Sequence, residues 1–304
     1  MRAFFKKWPQ LGFIGPGFII YTIFAIIPLF CAMYYSFFEW GGIGPMKFVG
    51  LDNFVTLFTD KTVAPIFANA IWNNLKYIIC IWFIVTPVQF ILAYFLFIKV
   101  RGHNYFKLML FFPYVISSTI IGFFTTLLFD PNIGSLNDLL EKIGLPAQLW
   151  LGDPKMAFAI LIGVVLWQGI GTGMMIFYSD MQVISPSLLE AADMDGANEW
   201  TKLSRIIFPM SLSSFSTNMT MSTIWALAVF DLPFLLGGVT GGADGSLDFV
   251  NIMFYRYTFG TALNGKSNMG FGAAISVVMF IIILIMTALM SFVTRKLEEK
   301  AGVR

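Results

Sequence analysis

The chain has 304 residues, 58% of them hydrophobic and only 12% charged, with a mean hydropathy of +0.78 and a formal charge of +2. A soluble domain of this length has no interior large enough to hide so much apolar surface, so lipid is the solvent for most of the chain. The basic residues are scattered through short loops rather than gathered on one face, which excludes a nucleic-acid surface.

A run of about 20 apolar residues crosses the hydrocarbon core, and six such runs are read, at about 11–38, 77–98, 108–129, 156–178, 210–232 and 269–294. The expectation is an all-α, polytopic membrane protein with six transmembrane helices, organised as a single domain over 1–304. The first run follows Met-Arg-Ala-Phe-Phe-Lys-Lys, but it is long and lacks a small-x-small cleavage site, so it reads as an uncleaved span. Residues 39–76 carry Gly41-Gly42, Gly50-Leu51-Asp52-Asn53-Phe54 and amphipathic stretches before the second span. Residues 130–155 read as a turn and a short helix from near Gly134-Ser135 to near Gly144, lying on the membrane surface. Cys31 and Cys80 both fall in apolar spans, where packing as small apolar residues is favoured over a disulfide.

Six spans place both termini on one side. Residues 1–10, 99–107, 179–209 and 295–304 hold Arg2, Lys6, Lys7, Lys99, Arg101, Lys107, Lys202, Arg205, Arg295, Lys296, Lys300 and Arg304. The alternate loops are longer yet poorer in bases, so the first set is expected to face the cytoplasm. His103 lies in one of these loops with no Cys, Asp or Glu close by, and reads as a surface residue rather than a metal ligand.

No Lys, Arg, Asp or Glu occupies the central portion of a span, and Asp231 sits at the outer end of the fifth. An ion-coupled transporter places such a group within the membrane to bind the coupling ion, so that class is disfavoured. No catalytic cluster of nucleophile, base or metal ligands is evident, which disfavours a membrane enzyme. Gly-x-x-x-x-Gly-Lys-Ser/Thr is absent, so any ATP hydrolysis belongs to another polypeptide.

Between the fourth and fifth spans lies a polar island, residues 187–209. Ser185-Pro186-Ser187 is suited to start a helix, Ser187 and Glu190 have capping-box spacing, Gly196 permits a sharp bend, and a second helix is expected from about Asn198. Helix, glycine bend and helix make a lever.

The island reads Glu190-Ala191-Ala192, three residues, Gly196, nine residues, Ile206, one residue, Phe208-Pro209. It closely resembles the EAA loop of bacterial ABC-importer permeases, with Phe208 where Leu is usual. With Asp195-Gly196-Ala197, Gly50 to Phe54, Asn137 to Leu145, Trp150 to Pro154 and Phe230-Asp231, nearly the whole chain is similar to the first permease subunit of carbohydrate importers of the maltose and glycerol-3-phosphate type. The resemblance is to the shorter, six-span, multiple-sugar and oligosaccharide members.

The resemblance implies a type I ABC-importer permease fold in a bacterial inner or plasma membrane. It also implies a second related permease, two copies of a cytoplasmic ATPase that bind ATP and Mg, and an extracytoplasmic solute-binding protein. No cofactor is then expected in this chain. Coupling to the ATPase would fall to Glu190, Ala191, Ala192, Asp195, Gly196, Ile206 and Pro209. In the family, sugar is held about halfway across the membrane by the spans flanking the loop, and helical rise places Gln168, Gly169, Thr172, Ser222, Trp225, Ala226 and Val229 there. Ala226 and Val229 stand where the maltose permease has Asn. Asn218 and Ser117-Ser118-Thr119 are weaker candidates. Aromatic, hydroxyl and amide groups suit a neutral sugar or oligosaccharide. The alternative cargo, a phosphorylated polyol such as glycerol-3-phosphate, would want bases near the path.

Overall fold

The computed structural model describes residues 10–260 and 266–300, so Arg2, Lys6, Lys7 and Arg304 of the orientation argument lie outside the described residues. In chain order the helices are α1 (residues 10–35), α2 (Asp52–Thr59), α3 (Val63–Phe97), α4 (His103–Val115), α5 (Ser118–Leu128), α6 (Ser135–Lys142) and α7 (Pro154–Met181). They continue with α8 (Pro186–Met194), α9 (residues 199–210), α10 (Leu212–Leu227), α11 (Asp231–Gly237), α12 (Val250–Phe259) and α13 (Met269–Lys300). One short antiparallel pair, Phe38–Glu39 with Lys47–Phe48, follows α1. By length and composition α1, α3, α7 and α13 can each cross a membrane. The pairs α4–α5 and α10–α11, bent by 91° and 44° at their breaks, are apolar and long enough only when taken together, which gives six spans if each pair counts as one.

Three helices widen into a single π turn, at Thr22–Ile26, Ile81–Val85 and Leu203–Ile207. Each turn ends two residues before a proline: Pro28, Pro87 and Pro209. A proline ring has no N–H and collides with the carbonyl four residues back, and the wider turn relieves the collision without ending the helix. The prolines therefore bend these helices but do not break them.

The helix that holds the second apolar run begins well before residue 77, because α3 already starts at Val63. Asp60 accepts from the amides of Thr62 and Val63 at 2.8 and 2.9 Å, which caps the helix start and holds that carboxyl below its ordinary range. Asparagines make the first half of α3 look like loop in sequence, yet Asn73 and Asn74 are almost fully buried. Asn73 Nδ2 donates to the carbonyls of Gly245 and Asp248 at 2.8 and 2.9 Å. Asn74 Nδ2 donates to the Ala226 carbonyl at 2.9 Å, and its Oδ1 accepts from the Val250 amide at 3.2 Å. These amides satisfy backbone freed where α10 ends and α12 begins.

Two compact units partition the chain. The first comprises residues up to 65 together with 254–280. Within it, Asn53 of α2 donates to the carbonyls of Ser36 and Phe38, both at 2.9 Å, fastening α2 beneath the end of α1. The second comprises 66–253 and residues from 281 onward. Here α7 packs along α3 and α4, and α11 packs on α5. The expected short surface helix is α6, pinned by Asn137, whose Oδ1 accepts from the Trp150 indole at 2.8 Å and whose Nδ2 donates to the Gln148 carbonyl at 3.0 Å.

Replacing Asn74 with Leu keeps a similar volume but leaves the Ala226 carbonyl and the Val250 amide unpartnered, at a cost of about 1–3 kcal/mol for each group. Thermal unfolding in detergent should show a lowered midpoint. An unchanged midpoint would remove Asn74 from this role.

Candidate functional site

Gln168, Gly169, Thr172, Ser222, Trp225, Ala226 and Val229 all line one cavity of about 420 Å³. Its walls come from α3, from both bent pairs and from α7. The backbone breaks lie at the cavity itself: Tyr114 and Ser118 flank the first, and Ala228, Val229 and Phe230 form the second. Irregular backbone at membrane depth is tolerated where it borders a cavity or finds partners in protein.

Several of the polar groups already have partners. Gln168 Nε2 donates to the Ile116 carbonyl at 3.2 Å and to Ser118 Oγ at 3.1 Å, so its amide bridges the α4–α5 break. The Gly169 carbonyl accepts from Gln89 Nε2 at 2.8 Å and from Thr172 Oγ1 at 3.0 Å. Ser222 Oγ donates to the Met219 carbonyl at 3.1 Å. These hydroxyls keep acceptor lone pairs for another donor. Trp225 is 74% exposed and offers a flat apolar face, whereas Ala226 is buried and its carbonyl is held by Asn74. The Val229 carbonyl accepts from Asn251 at 3.3 Å. At both places where the maltose permease has Asn, a side-chain amide reaches the backbone from another helix instead.

The cavity also includes residues that the chain alone did not single out, Gln89, Tyr77 and Tyr114, and Asp231 lines it as well. Gln89 had a legible signal, an amide in an otherwise apolar run. Gly173 makes room for it, since a Cβ at Gly173 would collide with the Gln89 amide. Ser118 belongs to the cavity, but Asn218 is buried in α10 and does not line it. Trp167, adjacent to Gln168, faces a separate apolar groove with Ile120, Phe124 and Val164.

The polar island folds as helix, bend and helix. The N-cap of α8 is Ser185, with Pro186 in the first turn, so the expected capping box of Ser187 and Glu190 does not form. Ser187 lies inside the helix, and its hydroxyl meets that of Ser185 at 2.8 Å. Gly196 has φ +77°, and the bonds from its amide to Asp193 at 3.0 Å and from the Ala197 amide to Ala192 at 2.9 Å form a Schellman ending. Asn198 caps α9, accepting from the Thr201 amide at 2.8 Å. Glu190, Ala191, Asp195 and Gly196 are exposed, Ala192, Ile206 and Pro209 are half-buried, and α8 has no buried residue. Met194 and Trp200 are 88% and 73% exposed.

Beneath this lever, Phe90, Phe177, Phe208 and Phe215 join α3, α7, α9 and α10. Ring centroids lie 4.5 Å apart for Phe177 and Phe215 and 5.3 Å for Phe208 and Phe215. The substitution of Phe for the usual Leu at 208 thus supplies an aromatic partner. Lys202 pairs with Asp193 across the bend and with Glu199 on its own helix, and Tyr94 donates to Glu199. Lys202, with the Tyr94 hydroxyl next, holds the Glu199 carboxyl below its usual range, while Asp193 and then Glu199 raise the Lys202 ammonium.

Comparison with known proteins places these features in context. Residues 18–299 match the family model described as binding-protein-dependent transport system inner membrane component. The chain is 32% identical over 293 residues to the probable ABC transporter permease protein YurN of Bacillus subtilis, covering 94% of this chain and 96% of that one. It is 30% identical to the multiple sugar-binding transport system permease protein MsmF of Streptococcus mutans, with 96% and 97% covered. It is also 30% identical to the arabinooligosaccharides transport system permease protein AraP of Bacillus subtilis, with 93% and 87% covered. In fold it is similar to a chain of a bacterial alginate ABC transporter solved with an alginate pentasaccharide-bound periplasmic protein, at TM-score 0.83 and 21% identity, with 97% and 96% of the two chains covered. The chain belongs to the binding-protein-dependent transport system inner membrane components, and is a multi-pass transport subunit of the ABC importer class.

Proposed function

We propose that this chain is one half of the translocation path of an ATP-driven importer, passing a neutral oligosaccharide from a separate binding protein to the cytoplasm. The single cavity that gathers all seven candidate path residues carries this reading. Its lining combines a flat indole, hydroxyls and amides, the groups that match the C–H faces and hydroxyls of a sugar. Among the described residues no Lys, Arg or His lines it, and Asp231 contributes a carboxylate. Moving a phosphate or carboxylate cargo past that lining without a paired cation would cost several kcal/mol. Relatives named for arabinooligosaccharides, starch degradation products and multiple sugars support a carbohydrate cargo. The alginate importer carries an acidic polysaccharide, a cargo for which this cavity supplies no base.

The loop between α7 and α10 serves as the coupling element, with Glu190, Ala191, Ala192, Asp195, Gly196, Ile206 and Pro209 presenting or holding the lever to a separate ATPase. The exposure of α8 and of Met194 and Trp200 supports a partner there. The same reading takes two ATPase copies that bind ATP and Mg, a second related permease to complete the path, and both termini on the cytoplasmic face of a bacterial inner or plasma membrane.

The cargo is tested by purifying the cognate binding protein and screening neutral, acidic and phosphorylated sugars by thermal shift, because ligand raises apparent stability. Neutral oligosaccharides should raise the midpoint. A response confined to phosphate esters, uronic acids, amino acids or peptides would overturn the cargo.

Side and role of the loop are tested together in proteoliposomes holding the whole complex. Met194→Cys should react with an impermeant maleimide only from the ATPase side. Glu190→Lys and Gly196→Pro should leave the subunit in the membrane while lowering uptake about tenfold or more, since Pro cannot adopt the positive φ of Gly196. Normal uptake in both variants would remove the loop from coupling.

A further inference from the structure

We infer that Tyr94, Asp193, Glu199 and Lys202 form a clamp that sets the angle of the bent loop and ties its displacement to α3, the helix that carries Gln89 into the cavity. This inference rests on the coupling role proposed for the loop, and it adds a helix that does not flank that loop in sequence.

Leu189 of α8 and Leu203 of α9 pack against the buried cluster, but nothing packs on the bend between them. A Cβ at Gly196 would meet nothing within 4 Å, and α8 buries no side chain. The Schellman bonds end α8 but leave the direction of α9 to other contacts. Lys202 supplies the bond across the bend: its Nζ lies 2.8 Å from Asp193 Oδ1 on α8 and 2.5 Å from Glu199 Oε1 on its own helix. The other oxygen of Glu199 accepts from the Tyr94 hydroxyl at 2.5 Å, and that hydroxyl also reaches the Glu199 carbonyl at 3.3 Å.

Isolated surface ion pairs contribute little, because two long side chains must be ordered in a high dielectric. This cluster differs in the cover over two of its members. Tyr94 is 5% exposed, and the Lys202 side chain is 12% exposed although its two acids remain more than half open. A buried phenol has few other conformations, so the Glu199 carboxylate meets a fixed donor on one side and, on the other, the ammonium of a side chain that is largely covered. Networks of this kind couple their members beyond the sum of the pairs.

Tyr94 is also well placed to pass movement on. It belongs to the buried cluster of Phe90, Ala93, Met174, Phe177, Met181, Ile184 and Ile207. Gln89 is five residues earlier on the same helix, about 7.5 Å along the axis at helical rise. Gln89 in turn donates to the Gly169 carbonyl, and Gly169 and Gln89 both line the cavity. A loop that tilts through the clamp therefore pulls on α3 directly, besides pulling on α7 and α10 to which it is joined.

The test uses the whole complex in proteoliposomes, comparing sugar taken up per ATP hydrolysed for Tyr94→Phe, Lys202→Met and the pair combined. Tyr94→Phe keeps the buried ring, and assembly of each variant is checked by co-purification of the ATPase. Each single change should lower the uptake-to-hydrolysis ratio about three- to tenfold, the net effect of losing one hydrogen bond whose acid partner stays half open to water. The double variant should be no worse than the poorer single, and Lys202→Arg should restore most of the ratio. Unchanged ratios in assembled complexes, or losses that multiply in the double variant, would overturn the clamp. A wild-type complex whose hydrolysis did not respond to sugar-loaded binding protein would overturn the importer reading itself, and the clamp with it.

Discussion

Backbone polar groups that lose their helical partners inside a membrane cannot turn to water, and this constraint organises the protein. Two spans break, and the breaks free carbonyls at Ile116, Ala226 and Val229. An amide side chain from another helix answers each one: Gln168, Asn74 and Asn251. The cavity exists because the helices part there, and it survives because amides close the account at its edges. At Pro28, Pro87 and Pro209 a π turn just before the proline absorbs the collision without ending the helix.

The same logic links cavity and loop. α7 carries Gln168, Gly169 and Thr172 at the cavity and Phe177 and Met181 in the buried cluster, and it leads into the loop. α10 carries Phe215 in the aromatic group and Ser222 and Trp225 at the cavity. The four phenylalanines sit between the two sites and pack edge to face or tilted, so movement of one helix is resisted by its neighbours rather than dissipated. A path that opens to one side at a time, as proposed, needs such stiff connections between its lining and the loop.

Much of this was legible from residues alone. Span number followed from apolar runs, and the bent lever from Ser-Pro, Gly196 and Asn198. The resemblance to carbohydrate-importer permeases pointed to the spans flanking the loop, and helical rise along them then picked residues that line one cavity. The rest was hidden for physical reasons. Asparagines at 69, 73 and 74 interrupt the apolar pattern until the carbonyls they serve are known, so the apolar run at 77–98 shows only the second part of α3. The break at Ile116 carries no local signature beyond Pro113 and the Ser117 cap. Ser187 has the spacing of a cap, but Pro186 moves the helix start two residues earlier. Gln89 and Tyr94 act through partners remote in sequence, Gly169 and Glu199, which periodicity cannot reveal.

The central claim is that the cavity at the two helix breaks is the path, opened to one face at a time by the loop. Its most direct measurement places a cysteine at Ser222 on the cavity wall and follows labelling by an impermeant maleimide from each side of reconstituted complexes, without nucleotide and with ATP trapped. The reactive side should exchange between the two states, and saturating sugar with its binding protein should slow labelling. Labelling that is equal in both states and indifferent to sugar would contradict the account.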